Sequence, residues 1–301
     1  EDGIRNQLTG MGFYEVRNVA MVSKQEAVAV NKKQKPVSIT NPLSPETAFV
    51  RTSLIPGVMR SVRWNLNRGA ENLKLYEIGT VYHSREKELP REETRVACAV
   101  TGMDTFHPFY TNSKDKADLY LLKGVVENLC SFLHLDDITF RRDDHPLLSE
   151  RDGAAVIYRD NVVGCIGALR PARAADLSIE NEVVVCELKL SLLQEAWSDR
   201  FIFSDIPKFP SLKRDLAVVV DEDVIIGELE KEILDSGGKY ITSVTLIDFF
   251  TGTQIPAGKK SVTFSLTFQS PVKTLCDKDT DVAVERIIER LTRRFSAKLR
   301  S

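Results

Sequence analysis

Cations, not nucleophiles, are what this sequence concentrates. Arg290, Arg293, Arg294, Lys298 and Arg300 close the chain with no acid among them. Lys259 and Lys260 open an alternating apolar run, and Lys208, Lys213 and Arg214 precede another. Guanidinium and ammonium groups gathered this way suit phosphate oxygens, although a solvated helix end gives the same pattern. Phe209, Phe249 and Phe250 stand in the same part of the chain. Aromatic rings interleaved with cations are what unstacked bases require. Phe264 and Phe268 share one face of a strand and suit a core equally well. From residue 207 onward there are 15 basic and 14 acidic residues, so clustering and not net charge carries the signal.

Other chemistries lack their parts. There is no Gly-x-x-x-x-Gly-Lys-Ser/Thr, and Gly237-Gly238-Lys239 reads better as a helix-ending turn. There is no Gly-x-Ser-x-Gly elbow. Asp277, Asp279 and Asp281 imitate the start of a calcium loop. That loop needs glycine and a bidentate Glu where Val282 and Ile288 stand, so the acids read as helix N-terminal residues. Cys98, Cys130, Cys165, Cys186 and Cys276 have no Cys-x-x-Cys spacing and read as buried thiols of a reducing cytoplasm. His83, His107, His134 and His145 are scattered, so no metal site is expected. The net charge of -2 and the 43% hydrophobic content fit a soluble globular chain of two domains. No run approaches the roughly 20 apolar residues of a membrane span. The Glu-Asp-Gly start, without methionine, reads as a cut within something longer.

These residues need elements to position them. Helical spacing predicts helices over 1–11, 56–67 and 117–134, with a short one at 191–197. Pro56 opens its helix where the missing N–H costs nothing. Strands are expected at 15–22, 73–83, 94–101, 137–142, 153–159, 161–169 and 183–190. The stretch 35–54, with two prolines, reads as extended and loop-rich. Residues 198–206 read as a linker between a domain at 1–197 and one at 207–301. The second predicts strand 215–220, helix 224–234, strands 240–250 and 261–268, helix 280–295 and strand 297–300. That order is βαββαβ, a ferredoxin-like arrangement.

Two sets of strings then carry a resemblance. NPLSPETAFVRTSLIPGVMRSVRWNLNRG (41–69) and LKLYEIGTVY (73–82) resemble bacterial-type phenylalanyl-tRNA synthetase beta subunits. So do FPSLKRDLAVVVDEDV (209–224), DFFTGTQIPAGKKSVTFSLTFQSPVKTLCDKD (248–279) and the closing AKLR (297–300), which resemble the C-terminal domain of those subunits. The resemblance covers essentially the whole chain. It implies an α+β chain: a class II synthetase-like antiparallel sheet with flanking helices, then a ferredoxin-like anticodon-binding domain.

Class II chemistry needs one arginine in an Arg-x-Glu strand and another after a Gly-rich strand, both on ATP phosphates. Here Glu77 has no such arginine before it; Arg85 and the Arg91–Arg95 region could substitute, but RVACAV (95–100) does not read as that motif. VVVCELKLSLLQ (183–194) offers only Lys189. No catalytic residue and no cofactor is therefore expected in this chain. The resemblance places catalysis, with ATP and magnesium, in an alpha subunit of an (αβ)2 assembly. It implies a subunit interface at Arg51, Pro56, Arg60 and Trp64. It also implies tRNA(Phe) contacts at Arg214, Lys259, Lys260, Arg293 and Arg294 for phosphate and Phe250 for stacking. Two alternatives stay open: a self-sufficient single-chain synthetase, and an interaction module indifferent to tRNA.

Overall fold

Alternation along the strands decides both sheets. The computed structural model describes residues 1–30, 35–85, 88–104, 116–135, 137–196, 205–252 and 255–300. His107, Trp197, linker residues 198–204 and loop residues 253–254 lie outside the described residues. The chain divides into two compact units, 1–200 and 201–301.

In the first unit the elements run α1 (Asp2–Gly10), β1 (Tyr14–Glu15), β2 (Met21–Val22), α2 (Lys24–Ala27), β3 (Phe49–Val50), α3 (Ile55–Leu66), β4 (Leu73–His83) and β5 (Arg91–Thr101). They continue with α4 (Leu119–Phe132), β6 (Ile138–Arg142), β7 (Ala154–Tyr158), β8 (Asn161–Ala168), α5 (Pro171–Asp176), β9 (Val183–Lys189) and α6 (Leu190–Ala196). Seven strands form one sheet in the order β1-β4-β5-β9-β8-β7-β6. Every neighbouring pair is antiparallel except β1 with β4.

The register sorts the side chains. Tyr76, Ile78, Val96, Cys98, Val184, Cys186 and Leu188 pack on one face with Leu122, Val125, Val126 and Leu129 of α4. Leu75, Ala97, Ala99, Val183 and Val185 pack on the other with Ile55, Val58, Met59 and Val62 of α3. Each fully buried aliphatic side chain here contributes about 1.5–3 kcal/mol. Asp118 starts α4 by accepting from the N–H groups of Tyr120 and Leu121 at 2.9 and 3.0 Å. Gly164 lets β8 approach β9: a Cβ there would strike the carbonyl oxygen of Glu187.

The second unit runs β10 (Leu212–Asp221), α7 (Ile226–Ser236), β11 (Ile241–Phe250), β12 (Lys259–Phe268), α8 (Asp277–Phe295) and β13 (Lys298–Leu299). This is the βαββαβ order, in a sheet ordered β11-β12-β10-β13. Leu216, Val218, Val220, Val262, Phe264, Leu266 and Phe268 form one core with Leu229, Ile233, Ile287 and Leu291 of the two helices. Phe264 and Phe268 are thus core residues. Helix α8 begins three residues before its expected start because Asp279 accepts from the Cys276 N–H at 3.0 Å, fixing the first turn.

Some elements differ from expectation. The stretch 15–22 holds only the two short strands β1 and β2. The stretch 35–54 contains a 3-10 turn at Pro45–Thr47 and strand β3. Helix α5, opened by Pro171, is additional to the expected elements. Four cysteines are buried, but Cys276 is exposed at the start of α8. Burial pushes the Cys130 thiol up to about 12. Among the described residues no helix is long and apolar enough to cross a membrane, and no group of three His, Cys, Asp or Glu side chains could hold a metal ion.

Candidate nucleic-acid interface

The strands of the second unit alternate between the helix-covered core and an open face. Paired residues of antiparallel strands point to the same side. Ser261, Thr263, Ser265 and Thr267 of β12 therefore share the open face with Lys213, Asp215, Ala217 and Val219 of β10. Phe250, Asp248, Thr245 and Ser243 of β11 extend it on one side. Lys298, paired with Val219, extends it on the other. Arg300 reaches across from there: it donates to Ser261 Oγ at 3.1 Å, and its guanidinium lies 5.9 Å from the Phe250 ring centroid. The result is a face of small hydroxyl side chains, Ser261 itself buried, that carries the carboxylates Asp215 and Asp248 and is bordered by Lys213, Lys298, Arg300 and the Phe250 ring. Such a surface can take unstacked bases and backbone phosphates.

The six expected tRNA contacts do not form one site. Phe250, 36% exposed, and Lys259 belong to the open face. Lys259 is paired with Asp221 at 2.5 Å. Lys260 is only 8% exposed and donates to the Glu222 carbonyl at 2.9 Å; burial lowers its pKa. Arg214 pairs with Leu266, on the helix side, and its guanidinium is bound to Asp277. Arg293 and Arg294 stand on α8, and Arg294 is held by Glu232 at 2.6 Å. The register separates these cations because strand neighbours alternate in direction. Lys298, Arg300 and the threonines of β12 join the face without having been expected there. Their signal lies in the alternation SVTFSLTF, whose apolar half marks a core strand and whose hydroxyl half marks the platform.

The expected interface residues of the first unit also separate. Trp64 is 55% exposed, with Arg68 stacked at 3.6 Å from its ring centroid. Pro56 and Arg60 are half-buried, and Arg60 binds Glu26. Arg51 is 8% exposed and faces inward. It donates to Glu77 at 2.6 Å, to the Thr80 carbonyl at 2.9 Å and to the Asn18 carbonyl at 3.3 Å. A guanidinium with these internal partners is a core cation.

A second buried group lies on the same sheet face. Arg95 donates to Glu93 and Glu187, each at 2.6 Å. Glu187 also accepts from Ser53 Oγ at 2.9 Å and the Leu54 N–H at 2.5 Å. His83 stands 3.2 Å from Arg95. Charges embedded in the apolar strings RVACAV and VVVCELK were the available signal.

Residues 1–190 match the family described as phenylalanyl tRNA synthetase beta chain CLM domain. The chain belongs to this family. Residues 207–300 match the ferredoxin-fold anticodon binding domain. The phenylalanine--tRNA ligase beta subunits of Halalkalibacterium halodurans and Bacillus subtilis are each 33% identical over 99% of this chain. That of Coxiella burnetii is 30% identical over 99%. The chain spans 37% of the length of these relatives. Among solved structures, a pyrrolysyl-tRNA synthetase of Desulfitobacterium hafniense aligns over 65% of this chain and 64% of its own, with TM-score 0.50 and 14% identity. This likeness is one of fold, and it places the beta-chain sheet among class II synthetase folds.

The buried charges of this beta-chain unit set a pH dependence. Burial alone would raise the Glu93 carboxyl; Arg95 overcomes it and holds the group below the usual carboxylate range. Burial, then the charge of Arg95, lowers His83, and burial lowers His145. All three bind a proton more readily when unfolded. Stability is therefore full above the unfolded histidine pKa of about 6.5 and falls as pH drops below it. A second fall begins below about 4.3, as Glu93 protonates in the unfolded chain first. Denaturant midpoints of the first unit should follow these two steps; a constant midpoint between pH 7 and 5 would contradict the histidine contribution.

Proposed function

We propose that this chain is the C-terminal part of a phenylalanine--tRNA ligase beta subunit that supports ATP-dependent attachment of phenylalanine to tRNA(Phe) without catalysing it. The domain at 1–197 packs against a catalytic alpha subunit in a cytoplasmic (αβ)2 assembly. The domain beyond the 198–206 linker, 207–301, binds tRNA through its open sheet face. ATP and magnesium act in the assembly, and this chain holds neither.

One observation carries the reading: Arg51 and Arg95, packed against the α3 face of the large sheet, are already held by carboxylates. Adenylate formation places charge on phosphate oxygens, and a class II site meets it with guanidinium groups. Arg51 is bound to Glu77, and Arg95 to Glu93 and Glu187. A guanidinium held between two carboxylates is neutralised before any phosphate arrives. Arg51 and Arg95 are thus held in internal ion pairs and offer no free guanidinium to a phosphate. What then favours a partner is the outer surface at the end of α3, where Trp64 and Arg68 of the following turn offer a large amphipathic contact.

The test is phenylalanine-dependent pyrophosphate exchange by the chain alone and with the alpha subunit, beside the solution mass of the co-expressed pair. The chain alone should give no exchange, and the pair should purify as an equimolar complex. Trp64→Asp should weaken that complex about tenfold, since a central Trp carries a large share of interface energy. Exchange by the chain alone would favour the single-chain alternative. A folded Trp64→Asp chain that assembles normally would remove α3 from the interface.

A further inference from the structure

We propose that the second unit has a second anion site: an arginine stripe along α8 that takes the phosphodiester backbone of an RNA duplex. It is distinct from the open sheet face. Arg286, Arg290 and Arg293 are exposed on one flank of α8, at spacings of four and three residues. Residues so spaced are neighbours on a helix surface, with Cβ atoms roughly 5–6 Å apart. Arg294 completes the group, fixed by Glu232 of α7 at 2.6 Å. Arg290, Arg293, Arg294 and Glu232 line a shallow cleft of about 370 Å³. At the other end of the stripe, Arg286 Nη1 lies 3.3 Å from where a Cβ on Gly238 would stand.

The stripe is electrostatically unfinished. Arg286, Arg290 and Arg293 have no carboxylate within ion-pair distance among the described residues. Glu289, three residues after Arg286 and four before Arg293, borders the stripe on α8, but neither it nor Glu285, nor Glu228 and Asp235 of α7, forms an ion pair with these arginines among the described residues. Like charges at four-residue spacing destabilise a helix. The helix dipole compensates cations only in the last turn, which accounts for Arg293 and Arg294 but not for Arg286 and Arg290. An external anion would complete the arrangement.

The chemistry favours duplex backbone over single strand. Arg286, Arg290 and Arg293 form a row of donors with no ring among them; the ring beside the group, Phe295, is partly buried against the core, 5.0 Å from the Arg294 guanidinium. Single strands are held by rings on which bases stack, and Phe250 is on the other side of the sheet. Duplex RNA turns its bases inward and is held through phosphate and 2′-hydroxyl contacts. Guanidinium groups in a row meet that demand.

This inference rests on the tRNA-binding reading of the second unit, and the experiment separates the two. The full chain is titrated against an RNA hairpin with a long stem and against single-stranded oligouridine, each over a range of salt. Arg286→Gln/Arg290→Gln/Arg293→Gln should lower the salt slope for the hairpin by roughly 2–3, about 0.7–0.9 for each phosphate no longer neutralised, and leave oligouridine binding unchanged. Lys298→Gln/Arg300→Gln should do the reverse. An unchanged hairpin slope in the triple variant overturns the proposal, as does an equal loss for both probes or a wild-type chain that ignores the hairpin. Oligouridine binding indifferent to Lys298→Gln/Arg300→Gln overturns the sheet-face reading instead. Thermal unfolding checks the triple variant. Were it to misfold, Arg290→Gln alone should lower the slope by about one, and an unchanged slope there is equally decisive.

Discussion

Glu187→Ala should cost the first unit about 3–5 kcal/mol of unfolding free energy, the usual loss when one partner leaves a buried ion pair. The Glu187 side chain is 4% exposed and accepts from three groups at once. One carboxylate oxygen takes Arg95, which is then left buried with only part of its charge compensated. The other takes Ser53 Oγ and the Leu54 N–H. Leu54 is the residue before α3, so the same carboxylate satisfies a backbone donor where a helix begins and stands at its positive end. Alanine removes all three interactions and opens space between β9 and α3. Glu187→Gln keeps an acceptor and loses the charge, so its cost should be about half. Urea unfolding of the full chain, followed by a probe in each unit, measures both. A loss under about 1 kcal/mol for Glu187→Ala would mean that water reaches Arg95 and replaces the carboxylate.

This network also explains where the sequence could be read and where it could not. The strings RVACAV and VVVCEL announce buried strands because apolar residues continue on both faces. The helix within ADLYLLKGVVENLCSFLH announces itself by its apolar period and its Asp cap. The stretch 15–22 has strand-like composition yet pairs only at its ends. Its middle is diverted by a side chain: Glu77 accepts from the Asn18 N–H at 3.2 Å and from Asn18 Nδ2 at 2.7 Å. A backbone donor taken by a carboxylate 59 residues away cannot serve a sheet ladder, and no local pattern reveals such a partner. Arg51 is held by the same carboxylate. Its charge marked it for a surface, and only the fold shows Glu77 waiting inside.

The candidate nucleic-acid face was legible in kind and not in place. Clustered cations and phenylalanines point to RNA, but a β-strand sends neighbours to opposite sides. Lys259 and Lys260 are adjacent in sequence, yet one faces the open side and the other donates into the Glu222 carbonyl. Arg300 lies far from Phe250 in sequence and joins it only because β13 closes the far edge of the sheet. Pairing register, which sequence spacing alone does not give, sorts these residues into faces.

Phe250→Ala should therefore weaken single-stranded RNA binding by about 1–3 kcal/mol, roughly 5- to 150-fold, without changing the salt slope. Stacking of a base on a ring releases no counterions, so its loss lowers affinity equally at every salt concentration. Removing Lys298 and Arg300 must instead change the slope, because every phosphate that loses its protein cation takes a counterion back from solution. The two kinds of variant thus report different chemistry from one platform. The ring sits at the end of an edge strand and is 36% exposed, so its truncation should leave the unit folded. Anisotropy of a labelled oligouridine at several salt concentrations gives both quantities. Parallel salt plots displaced to weaker binding are expected. A slope that falls with Phe250→Ala would mean that the ring holds Arg300 in place, the two being within cation–π range, and that base stacking on this face is minor. Unchanged affinity would remove Phe250 from the site and leave a purely electrostatic surface.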